Sequence, residues 1–158
     1  MWILVFILFG IFNVVAFLIP KRLSKIEIYA TSFFAYSYGI TTDIILDLHY
    51  HLYGYFGKGF QWLSLIAIFM YFPAVSIIFL NLYPSNGNFA KKVLNIIYWT
   101  VFSIAFEWFT VHTKFFYYNE WKLWYSAFCY PIIFSVLLIN LKLVRKLLEK
   151  QYVKRCPR

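Results

Sequence analysis

Met1 to Ile19 carries no charged residue, and four more long apolar segments follow at Glu27 to Leu48, Phe60 to Tyr83, Val93 to Val111 and Leu123 to Val144. Turn-forming or charged residues separate them. At a helical rise of about 1.5 Å per residue, each is close to the roughly 30 Å hydrocarbon core of a bilayer. The pattern predicts an all-α bundle of five transmembrane helices over residues 1–144 and a basic tail over 145–158. The second segment is the most diluted, by Tyr29, Thr31, Ser32, Thr41, Thr42 and Asp43. Four spans plus one re-entrant or interfacial helix is therefore the alternative. Nothing basic precedes Trp2, and Pro20-Lys21-Arg22 closes the first run, so it reads as a retained helix rather than a cleaved secretory signal.

Composition agrees: 63% of side chains are hydrophobic and 13% charged, far from the about 25% charged of soluble domains. The net charge of +9 is unevenly spread. Lys21, Arg22 and Lys25, then Lys91 and Lys92, then Lys142, Arg145, Lys146, Lys150, Lys154, Arg155 and Arg158 fall in alternate connections and the tail. These are twelve of the fifteen basic residues; only Lys58, Lys114 and Lys122 fall on the other side. Positive residues stay cytoplasmic, which places the amino terminus outside and the carboxyl terminus inside a cytoplasmic membrane. The same rule, with anionic lipid headgroups at the tail, accounts for the basic runs without nucleic acid.

Four of the six acidic residues and all three histidines collect at the outer ends of the second and fourth helices and the connection that follows the fourth. Asp43, Asp47 and His51 are four apart, one stripe if helicity persists, and Ser103 and Glu107 repeat the step. A helix carboxyl end repels carboxylates, and Asp43 and Glu107 lie a turn or more below the interface, so something must compensate them. A bound cation, a shared proton, a neighbouring His, or hydroxyls of Thr41, Thr42, Ser103 and tyrosines can do so. Asp43, Asp47, His49, His51 and Glu107 form a candidate site for a divalent metal such as zinc, manganese or iron. Asp43, Asp47, Glu107 and His112 are candidate catalytic groups. Aromatic residues crowd the same end, and Tyr53, Trp62, Tyr118, Trp121 and Trp124 make a candidate ligand or partner surface, beside the plainer reading of an interfacial belt.

Thr31, Ala35 and Gly39 give the second helix a small-residue face, Asn13, Asn95 and Asn140 are placed to hydrogen-bond between helices, and Pro73 and Pro131 interrupt the third and fifth. No disulfide is expected between Cys129 and Cys156, and no nucleotide, zinc-protease or hydrolase motif occurs.

The stretches Asp43-Ile44-Ile45-Leu46-Asp47-Leu48, Leu52-Tyr53-Gly54-Tyr55-Phe56, Trp62-Leu63-Ser64, Tyr71-Phe72-Pro73-Ala74-Val75, Phe106-Glu107-Trp108 and Tyr117 to Ser126 resemble an uncharacterised family of short multi-pass membrane proteins of spore-forming Firmicutes. The resemblance covers nearly the whole chain. It implies a cytoplasmic-membrane location in a Gram-positive cell and brings no activity, substrate, cofactor or functional residue with it.

Three functions fit these features. One is a non-enzymatic membrane component, with a membrane-protein partner or as a homo-oligomer, using the acidic and aromatic outer end as its docking or ligand surface. A second is an outer-leaflet hydrolase or transferase for lipid-linked substrates, and a third is proton or cation movement by an oligomer.

Overall fold

The computed structural model describes residues 2–57 and 61–155, with side chains through Gln151. The expected helix starts at Met1 and Phe60, the place of Lys58 and the pairing of Cys156 lie outside the described residues. Among those described, five α-helices form: α1 (Trp2–Leu18), α2 (Lys25–Asp43), α3 (Trp62–Leu82), α4 (Phe89–His112) and α5 (Leu123–Arg155). Three of them, α3, α4 and α5, are long and apolar enough to cross a membrane. α1 is as apolar but spans 17 residues, and α2 is diluted by polar groups. Two three-residue strands, β1 (Tyr53–Tyr55) and β2 (Phe116–Tyr118), complete the fold.

Local chemistry sets the boundaries. Ser24 and Glu27 form a capping box that starts α2, each side chain bonding the other residue's backbone N–H. Asn88 accepts from the Lys91 N–H at 3.0 Å and starts α4 at Phe89, four residues before the apolar run. The α-helical ladder of α2 ends at Asp43 and widens into a π-helical segment, Ile44–His49, which closes with His51 in the left-handed region at φ 54°. At the other end of the chain, α5 runs unbroken to Arg155, so the basic stretch from Arg145 continues the fifth helix.

The buried side of α2 recurs at every fourth residue: Glu27, Thr31, Ala35, Gly39 and Asp43. This is the small-residue face read from the sequence, with a carboxyl group at each end. It lets α3 approach so closely that a Cβ at Gly39 would stand about 2.5 Å from the Phe72 ring. α2 packs on α3 and α5, α1 on α3, and α4 on α5. α2 and α4, whose adjacency a shared acidic site would need, have no extended interface; the space between them is a cavity bounded by α3 and α5. Phe79, fully buried, meets Trp99 and Phe134 in one core, while Phe9 joins Tyr71, Phe106 and Phe115 in another.

Asn13 behaves as its sequence position suggests, donating from α1 to the Met70 carbonyl on α3 at 2.9 Å. Asn95 and Asn140 do not: the Oδ1 atom of each is buried without a partner. Pro73 and Pro131 lie inside α3 and α5.

Consecutive helices alternate in direction. The ribbon end gathers β1, β2 and the start of α1, where Trp2 meets Phe56 and Phe6 meets Phe115. The opposite end is fastened by Arg145, whose Nε lies 2.6 Å from Glu27 Oε1, and by Asn81, which accepts from the Arg22 N–H at 2.7 Å. Outward faces are largely apolar, as at Ile3, Ile7, Ile11 and Val14 of α1 and Phe128, Ile132 and Ile139 of α5.

The Gly39 contact gives a direct check. Gly39→Leu is expected to lower stability by about 1–3 kcal/mol through overpacking, and Phe72→Ala in the same chain to recover part of it. Unfolding of the purified variants in mixed micelles reads both effects.

Candidate functional site

β1 and β2 pair antiparallel with Tyr53 opposite Tyr118 and Tyr55 opposite Phe116. Directly opposed residues of such a pair project to one side, and so do residues two apart on a strand. Tyr53, Tyr55, Phe116 and Tyr118 therefore share the face that caps the bundle, and Gly54 and Tyr117 share the other. A Cβ at Gly54 would meet the far end of the Tyr117 side chain, which lies across the glycine and would have to move for any larger residue there. Further bonds stitch the two connections together: the backbone N–H groups of Asn119, Glu120 and Trp121 all donate to the Leu52 carbonyl, at 3.0, 3.1 and 2.9 Å. Asn119 Nδ2 donates to the His51 carbonyl.

The inner face of the ribbon delivers hydroxyls to the two carboxyl groups. Tyr53 donates to Asp43 Oδ1 at 2.6 Å and Tyr55 to Oδ2 at 2.9 Å. Tyr118 donates to Glu107 Oε1 at 2.5 Å; Ser126 donates to the same oxygen at 2.8 Å, and Tyr130 to Oε2 at 2.6 Å. Trp121 Nε1 in turn donates to Ser126 Oγ at 3.0 Å. Asp43 and Glu107 are 8% and 9% exposed. Five hydroxyls meet the two carboxyls, and among the described residues no cation is bonded to either. Burial, joined by the adjacent Asp43 carboxylate, holds the Tyr53 hydroxyl well above the ordinary tyrosine range. Burial and the bond to Glu107 do the same for Tyr118.

Both carboxyls line a cavity of about 280 Å³ under the ribbon. Its walls are mostly aromatic and aliphatic, including Tyr71 and Phe72 of α3, Phe106 of α4 and Ile133 of α5. Ser76, Ser103, Thr110 and Cys129 add small polar groups. The Ser76 side chain is 1% exposed, and its Oγ has no hydrogen-bond partner.

The candidates read from the sequence divide here. Asp43 and Glu107 come to one cavity, and Ser103 shares it. Asp47, His49 and His51 do not join them, because the π-helical segment and the left-handed His51 end the helix. Asp47 stays half-buried, while His49 and His51 are exposed. The metal set Asp43, Asp47, His49, His51 and Glu107 is thus not assembled; among the described residues no three His, Cys, Asp or Glu side chains gather as a metal requires. His112 turns outward, with its Nδ1 2.7 Å from the Trp108 carbonyl and its ring against the Trp108 ring. It is not beside the carboxyls as a catalytic partner would be. Thr41 and Thr42 do not compensate Asp43 either, since their hydroxyls donate back to the Ser37 and Tyr38 carbonyls.

The aromatic surface also splits. Tyr53 is buried, and Tyr118 and Trp121 are half-buried in the network, whereas Trp62 and Trp124 are 75% and 56% exposed on the outside. Sequence reading missed Tyr55, Ser126, Tyr130 and Ser76. Ser126 and Tyr130 carried a signal, being polar groups four apart on an apolar helix and so on one face. No family model, curated protein or solved structure matches the chain.

Two outcomes follow. Tyr118→Phe removes a hydrogen bond to a charged group and is expected to cost about 1.5–3 kcal/mol in micelle unfolding, with Tyr117→Phe, on the outer face, close to wild type. The raised folded-state values of Tyr53 and Tyr118 mean that the unfolded chain releases those protons first. Stability is therefore full below about pH 10 and falls as pH climbs past it. Circular dichroism recorded alongside tyrosinate absorbance should show helix loss and ionisation together; buried tyrosines ionising in an intact fold would contradict this.

Proposed function

We propose that the chain is a non-enzymatic component of the cytoplasmic membrane with five spans, its amino terminus outside and its carboxyl end inside, that holds a small ligand in the cavity under its ribbon. One observation carries the binding reading: a cavity walled mostly by apolar groups keeps two carboxyls in its lining with their lone pairs directed by five hydroxyls. Mostly apolar concavities with a few fixed polar groups are the usual form of small-molecule sites. The hydroxyls hold Asp43 and Glu107 in place as recognition groups, and both carboxyls are already occupied as acceptors, which favours binding over proton transfer to a substrate.

The spanning reading for α1 and α2 rests on their surroundings. Apolar side chains of α1 point outward along its whole length, as do Ile26, Tyr29 and Phe33 on α2. Surface of this kind costs about 25 cal/mol per Å² in water and nothing comparable in lipid. α2 also joins α3 and α5 over its full length through its four-residue stripe, which favours a crossing helix over a re-entrant one. The basic residues of the opposite end and of α5 beyond Lys142 support a cytoplasmic placement there, against anionic headgroups. The resemblance to multi-pass Firmicutes proteins points to the same membrane.

Orientation is tested with Glu120→Cys at the ribbon end and Asn86→Cys at the opposite end, each labelled in intact cells by a membrane-impermeant maleimide, with the parent chain's own labelling subtracted. Position 120 should label in intact cells and position 86 only after lysis; the reverse, or both from one side, overturns the topology. Binding is tested by denaturing the gently purified chain and identifying released small molecules by mass spectrometry. A compound present near stoichiometry in the wild type and lost in Ser76→Leu, which fills the cavity, is the expected result. Two chains carrying only the same bulk lipid would overturn it.

A further inference from the structure

The sign and shape of the ligand can be read from the wall. Asp43 and Glu107 put two acidic groups into the cavity, and among the described residues that line it there is no Lys, Arg or His to neutralise them. Their tyrosine and serine partners supply dipoles but no charge. Aromatic rings of Tyr71, Phe72 and Phe106 line the same space, and ring faces attract cations. Independently of the carboxyls, Ser76 lines the cavity, and this residue, 1% exposed, has an Oγ without a partner. A buried hydroxyl left unpaired carries a free-energy penalty that a ligand donor or acceptor removes. A bare metal ion fits poorly, since no three ligating side chains gather among the described residues and most of the wall is apolar.

We propose that the cavity binds an organic cation, a protonated amine or quaternary ammonium group on a small apolar body, with its charge facing Asp43 and Glu107 and its body against Tyr71, Phe72 and Phe106. This rests on the reading of the cavity as a ligand site and adds the chemical class. A protonated amine has N–H donors, and Ser76 Oγ accepts one; a quaternary ammonium has none and leaves Ser76 unused.

The test compares benzyltrimethylammonium with its uncharged isostere neopentylbenzene, by isothermal titration of the full chain in phosphatidylglycerol nanodiscs, with empty discs subtracted for partition. The cation should bind at least about tenfold more tightly, a difference of about 1.4 kcal/mol. Glu107→Gln should shrink that preference. Because the wild-type comparison needs no variant, a Glu107→Gln chain that fails to fold leaves the test intact. Benzylammonium should lose affinity in Ser76→Ala while benzyltrimethylammonium does not. Adding phosphatidylethanolamine to the discs separates two sources of the same chemistry: weakened binding of the probe identifies a lipid ammonium headgroup as the occupant, and unchanged binding a free cation, both in line with the proposal. Equal or tighter binding of neopentylbenzene overturns the cation and leaves an apolar ligand site. Binding of neither overturns the ligand reading as well.

Discussion

A carboxylate taken out of water must be met by donors, and here two of them, Asp43 and Glu107, organise everything at one end of the molecule. An ionised group within a spanning helix costs about 2.5–3.5 kcal/mol near the bilayer centre. No cation among the described residues of the cavity offsets that cost; hydroxyls do, and most of them come from a ribbon of two three-residue strands. So short a ribbon has little stability alone. It is held by the carboxyls it serves and by the bonds converging on the Leu52 carbonyl, and it in turn links the ribbon-side ends of α2 and α4, which have no extended contact with each other. The cavity exists because that link replaces direct contact.

The two ends of α2 solve the same electrostatic problem in different ways. Glu27 sits near a connection rich in Lys and Arg and takes Arg145 as its partner, with the Ser24 backbone N–H on its second oxygen. Asp43, four turns of the same stripe away, receives only neutral donors. A guanidinium reaches Glu27 because its own side chain is 41% exposed and stays hydrated, whereas the ribbon end has an aromatic cap in that position. One end of the bundle thus meets its carboxylate with a cation, and the other meets its two carboxyls with neutral hydroxyls beside an apolar space.

Much of this was legible in the chain. Apolar runs gave the helices to within a few residues except at the end of α5, which continues to Arg155 through the basic stretch, and the Ser24 and Asn88 caps explain where α2 and α4 begin ahead of or apart from the hydrophobic pattern. The small-residue face of α2 and the need to compensate Asp43 and Glu107 were also readable, because both follow from spacing and burial. What the spacing could not convey was the change from α to π at Ile44 and the left-handed His51, beyond which Asp47, His49 and His51 stay out of the cavity that Asp43 lines. Nor could it convey the pairing of Tyr-Gly-Tyr with Phe-Tyr-Tyr across 60-odd residues, a tertiary choice that turned an apparent surface belt into a cap. The unpartnered Ser76 gave no signal at all, since a lone serine in an apolar helix is indistinguishable by sequence from one that bonds its own backbone.

The partners of the two carboxylates also differ in when they exist. Asp43 is served from 10 and 12 residues downstream, within one connection, whereas Glu107 waits for groups 11, 19 and 23 residues on, two of them inside α5. A chain made from its amino end has Tyr53 and Tyr55 soon after Asp43, although β1 pairs only once β2 is made, and it presents Glu107 before Ser126 and Tyr130 have been added. Closure of the cavity therefore waits for the fifth helix, which supplies part of its wall and two of the donors to Glu107.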